Sequence, residues 1–222
     1  MKGKILEKKK ERLDIKRQGI WIWDELANAV SHGIGVLLAI AAIPILVIMA
    51  EDAVSVVTGA VFGASLVVLY LASTLYHAVP EGKLKRFLQR SDHAAIYLLI
   101  AGSYTPFTLG ILRGAWGWNL FGIVWGLAVF GVFFKLVVGT RFNAVSTVIY
   151  IVMGWLVIIA VKPLLQNMEP AGFVLLLAGG LSYTVGVIFY LMHDRPFMHF
   201  IWHLFVLGGS ICHFFAVLWY SV

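Results

Sequence analysis

Seven long apolar runs, separated by short charged or turn-forming links, limit what this chain can fold into. They lie near 27–49, 53–79, 92–111, 116–138, 144–161, 171–192 and 198–220. At a helical rise of about 1.5 Å per residue, each run can cross a hydrocarbon core. The links carry ED at 51–52, PEGKLKRFLQR at 80–90, RGAWG at 113–117, GTRFN at 139–143, KPLLQNMEP at 162–170 and HDRP at 193–196. Pro44 and Pro106 fall inside runs, where neighbouring helices can absorb the lost backbone bond. The chain is 61% hydrophobic and 13% charged, against about 25% charged in soluble domains, so a soluble fold is excluded. The expectation is an all-α, seven-transmembrane helix bundle over residues 21–222, behind a basic tail at 1–20.

Charge orients the bundle. Lys2, Lys4, Lys8, Lys9, Lys10, Arg12, Lys16 and Arg17 fill the tail. A cytosolic N-terminus gathers these with Lys83, Lys85, Arg86, Arg90, Lys135, Arg141 and Arg195. Only Arg113 and Lys162 of the 17 basic residues are then left on the outer side, and the C-terminus lies outside. The net charge of +6 is therefore a topological signal and implies no nucleic-acid partner. The tail is similar to a signal-peptide n-region, but the apolar run after Asp24 and Glu25 is too long and lacks a small-residue cleavage pattern, so it is read as retained. Cys212 is the single cysteine, which excludes an intrachain disulfide; its apolar setting argues against a reactive thiol.

The chemistry concentrates at HFIWH, residues 199–203, near the start of the last run. His199 and His203 are four apart and share a helix face. The topology places His77 near the cytosolic end of the second span, with Ser73 one turn deeper on the same face. It also places Asp92 in the first turn of the third span. His77, Asp92, His199 and His203 thus converge at one membrane level. Three neutral imidazoles suit zinc and leave a fourth position open. Zinc acidifies water, Asp92 is the candidate proton acceptor, and Ser73 can hold the water or an oxyanion. Helix packing by these histidines is the competing reading. His213 lies ten residues beyond His203, about 15 Å along the helix, too far to share an ion. It is read as structural or as a ligand contact. Glu25, Asn28 and His32 fall on one face of the first span, either supporting the site's ligands or pinning that span to the bundle. His93 and His193 are expected at the interface, solvated, and Gly179, Gly180 and Gly186 at close helix contacts.

Taken in order, ELANAVSHGIG (25–35), STLYH (73–77), RSDHAAIYLLIAGSYTPF (90–107), HFIWH and HFFAV (213–217) resemble the hemolysin III family. This is the bacterial branch of the progestin and adipoQ receptors, and the resemblance covers the chain after residue 20. It implies a seven-helix protein of the bacterial plasma membrane with a cytosolic N-terminus. By analogy with the adiponectin receptors it implies zinc on His77, His199 and His203, with Ser73 and Asp92 beside it. It further implies hydrolysis of a lipid amide or ester, as in the related alkaline ceramidases, with a membrane lipid or fatty acyl ligand drawn from the lipid bilayer. The short outer links offer little for a protein hormone to grip, and a compact apolar bundle offers no mechanism for a lytic pore. A non-catalytic lipid sensor with structural zinc is the alternative.

Overall fold

A computed structural model describes residues 2–192 and 194–221, with side chains from residue 19 onward. His193 and the basic side chains of the tail lie outside the described residues. Among those described, the chain forms seven helices and no strand. They are α1 (Lys2–Met49), α2 (Ala53–Ala78), α3 (Lys83–Ile111), α4 (Ala115–Val138), α5 (Asn143–Asn167), α6 (Pro170–Leu191) and α7 (Met198–Tyr220). Each is long and apolar enough to cross a membrane.

Two stretches that read as links are helical. α3 begins at Lys83, inside the charged segment 80–90. α5 runs past Lys162 to Asn167 because it breaks and restarts: a 3-10 turn occupies Leu156–Ala160, and α-helix resumes at Val161. Pro163 therefore sits in the first turn of a new segment, where no backbone N–H needs an intrahelical acceptor. The Tyr104 hydroxyl of α3 fills the break, donating to the Gly154 carbonyl at 2.9 Å and accepting the Val157 N–H at 2.8 Å. α3 has its own irregularity after Pro106, a π-turn over Phe107–Ile111. There Thr105 and Thr108 donate to the Ala101 and Tyr104 carbonyls, and Ser221 donates to that of Pro106. Hydroxyls thus engage backbone carbonyls around a break that lipid could not solvate.

α3 is the axis of the bundle. In the most apolar stretch of each span, 67% of α3 is buried inside the protein, against 11% of α6. Its Tyr97 lies fully buried against Gly131 of α4, where an added Cβ would strike the ring. Overpacking of this kind costs about 1–3 kcal/mol. Gly131→Ala should accordingly lower the unfolding temperature in detergent. Gly122→Ala, at a position with open space around it, should not; equal melting of the two variants would refute the contact.

At the end of the bundle away from HFIWH, Asp52 caps α2. It accepts the Ser55 N–H at 2.7 Å and the Arg113 guanidinium at 2.7 Å. The Ser55 N–H and, next, Arg113 hold its carboxyl down at about 2. The α1–α2 and α3–α4 links are joined by this pair.

Candidate metal centre

Donor atoms of three histidines, His77 from the last turn of α2 with His199 and His203 from the first turns of α7, all lie within 4.8 Å of one another. The ring centroids of His77 stand 5.1 Å from those of both His199 and His203, which are themselves 4.6 Å apart. Helices so distant in sequence meet because α1 packs against both α2 and α7. A metal ion fits a cluster of this kind.

α1 also fixes the protons. His77 donates through Nδ1 to Glu25 Oε2 at 3.1 Å, which leaves Nε2 as a bare acceptor, buried and without a hydrogen-bond partner. His203 Nδ1 faces two acceptors, Ser31 Oγ at 3.1 Å and the Asn28 carbonyl at 3.3 Å. Because the Ser31 hydroxyl already donates to that carbonyl, its oxygen is an acceptor and the proton belongs on His203 Nδ1. In both rings Nε2 is the lone pair left for an ion. Metal-binding histidines are commonly held through the other ring nitrogen in this way. His32 supports His203 by stacking, with ring centroids 3.5 Å apart and planes within 10° of parallel. Glu25 and His32 thus touch the cluster through their side chains, and Asn28 does so through its carbonyl.

Glu25 is itself anchored. Lys85 donates to its Oε2 at 2.8 Å and to the Tyr76 and Val79 carbonyls at the end of α2. The three ammonium protons are therefore satisfied, and the lysine is buried. The residue before it on α1, Asp24, accepts the Phe197 N–H at 3.2 Å. Phe197 has φ of 61°, the left-handed region that non-glycine residues seldom occupy. Asp24 thereby pins the turn from which α7, and so His199, begins. Glu25→Gln should weaken metal binding by about 10–100-fold, the usual effect of losing such a support. Zinc titration against a competing chelator checks this, and unchanged affinity would refute the supporting role.

Asp92 and Ser73 are buried beside His77. They adjoin each other without closing a direct hydrogen bond, since Ser73 Oγ has no partner. Asp92, His199 and His203 border a cavity of about 130 Å³ whose walls include Ile96, Leu99, Ile100 and Val206. It extends between α5 and α6, which line it with Thr147, Tyr150, Tyr183 and Thr184.

His213 lies apart from the histidine cluster, farther along α7, at the same cavity. His93 is buried, contrary to the expected solvated position. Its ring faces the cavity and Tyr190, with Lys135 and Asn143 behind it, because the axial helix is enclosed on every side. Gly180 makes no close helix contact and instead lines the cavity, while Gly179 and Gly186 do approach α7 closely. Ser31 and Lys85 escaped notice as site residues. Ser31 lies within ELANAVSHGIG beside His32, the one available signal. Lys85 registered only as a charge setting topology.

Known proteins supply independent comparisons. A family model described as haemolysin-III related matches residues 20–214. The chain is 52% identical over 203 residues to "Hemolysin-3" of Bacillus cereus, covering 90% of this chain and 93% of that protein. It is likewise 52% identical to the "Hemolysin-3 homolog" of Bacillus subtilis, covering 90% and 96%. A more distant similarity, 28% over 205 residues, links it to the human "Monocyte to macrophage differentiation factor", covering 88% and 83%.

Proposed function

The chain belongs to the haemolysin-III related family, and from that premise we propose that it is a zinc-dependent hydrolase of a lipid amide or ester. It is a multi-pass membrane protein. The bacterial plasma membrane, a cytosolic N-terminus and a site near the cytosolic face belong to the same proposal, supported by the distribution of Lys and Arg.

The observation that carries the reading is the cluster of three imidazoles whose donor atoms lie within 4.8 Å of one another, with His77 Nε2 buried and unpartnered. A buried acceptor without a partner is costly in an apolar interior, and His77 Nε2 is one. Zinc held by His77, His199 and His203 would supply Lewis acidity toward a carbonyl oxygen and toward water. The remaining work falls to the chain. Glu25, Ser31 and the Asn28 carbonyl hold two of the rings in the required tautomer. Asp92 accepts the proton of the attacking water and returns it to the departing nitrogen or oxygen. Ser73 donates to the developing oxyanion. The apolar cavity takes the acyl chain, reached from the lipid bilayer between α5 and α6.

The test is turnover by purified, zinc-loaded protein in lipid vesicles, offered ceramides and acyl esters and read by release of free fatty acid. Absence of release across both classes defeats the hydrolase. The alternative, a lipid sensor with structural zinc, draws on the fact that the three histidines join α2 to α7. It requires chelation to lower thermal stability where there is no reaction to lose.

A further inference from the structure

Five hydroxyls along the cavity wall, those of Ser103, Tyr104, Thr147, Tyr150 and Thr184, donate to backbone carbonyls. Those of Tyr104 and Tyr150 join α3 to α5 and the other three stay within their own helices, so none of the five has a donor left for a guest. His213 differs. Its Nε2 donates to the Leu176 carbonyl of α6 at 3.2 Å. That bond puts the proton on Nε2 and leaves Nδ1 an acceptor, and Nδ1 is buried with no hydrogen-bond partner. The edge of the ring carrying Cδ2 and Nε2 is the edge that meets Gly179 of α6. Nδ1 is on the opposite side of the ring, directed away from α6 in a residue that lines the cavity. An acceptor buried in this way without a partner is an unmet demand for a donor.

We infer that His213 selects the ligand: Nδ1 accepts a hydrogen bond from a hydroxyl carried part-way along the acyl chain, so the cavity prefers hydroxylated chains over plain ones. The inference rests on the reading of the cavity as an acyl site. The hydroxyl stands about 15 Å from the histidine cluster, the rise of the ten helical residues between His203 and His213. A mid-chain position on a long acyl group meets that spacing. A plain chain leaves the acceptor buried and bare, at a penalty that corresponds to roughly ten- to a hundredfold in affinity.

Ricinoleate and oleate, which differ by one mid-chain hydroxyl, are the probes, with binding to the full-length zinc-loaded protein measured calorimetrically in detergent. Ricinoleate should bind about ten- to a hundredfold more tightly. The preference should vanish in His213→Leu with oleate affinity kept, and persist in His213→Gln, which retains an acceptor oxygen. Equal affinities in the wild type overturn the inference without recourse to any variant, and leave the acyl cavity standing. A preference that survives in a folded His213→Leu protein overturns it too. Binding of neither acid removes the acyl cavity and the inference together.

Discussion

Wild-type protein is expected to come through purification with about one zinc per chain and His203→Ala protein without it. Three observations combine at this one side chain. It contributes one of three nitrogens to the cluster. It is almost wholly enclosed, so water cannot readily take the place of the ring. Its Nδ1–H meets both Ser31 and Asn28, so its loss also frees the α1 face that orders the site. Losing a supporting residue costs about 10–100-fold in affinity, and losing a donor outright should cost more. Elemental analysis of wild type and variant decides the matter. The corollary is thermal: added zinc should raise the unfolding temperature of the wild type, as any ligand specific to the native state does, and should leave the variant unmoved. Equal zinc in the two proteins would return the histidines to a packing role.

Asp92→Asn should give the opposite profile, with zinc kept and turnover lost. Asp92 is not one of the three clustered donors, and its carboxyl lies buried at the cavity beside His77 and Ser73. Asparagine fits the same space but cannot accept a proton. The expected loss is about a hundred- to ten-thousandfold in kcat, the contribution of a positioned general base. Metal content, measured on the same preparation, separates this outcome from collapse of the site. A variant that turns over lipid as fast as the wild type would remove Asp92 from the chemistry. Zinc in both proteins and turnover in neither would favour the structural reading.

The seven spans were legible because hydropathy acts locally: a long apolar run has one solution in lipid whatever its neighbours are. The histidine triad was nearly as legible, since the spacing of His199 and His203 and the level of His77 follow from helix geometry and topology alone. What escaped is what depends on which helices adjoin. Ser31 matters only because α1 lies against α7, and Lys85 looks solvated until Glu25 of α1 is seen over the end of α2. The break in α5 was hidden for the same reason, its stabilising hydroxyl belonging to Tyr104 of α3. His93 read as interfacial because it opens an apolar run. Its burial reflects the central place of α3, a property of the assembled bundle rather than of the segment.

The contact between first and last helices has a consequence in time. His77 is synthesised well before its partners on α7, with four further helices made between α2 and α7. Six helices can enter the membrane while the cluster is still two-thirds missing. Metal can be captured in this arrangement only after α7 has threaded into place against α1. A metal held at this cluster would therefore be loaded late, and a nascent chain truncated before Met198 can be embedded in the membrane yet have no means of holding an ion there.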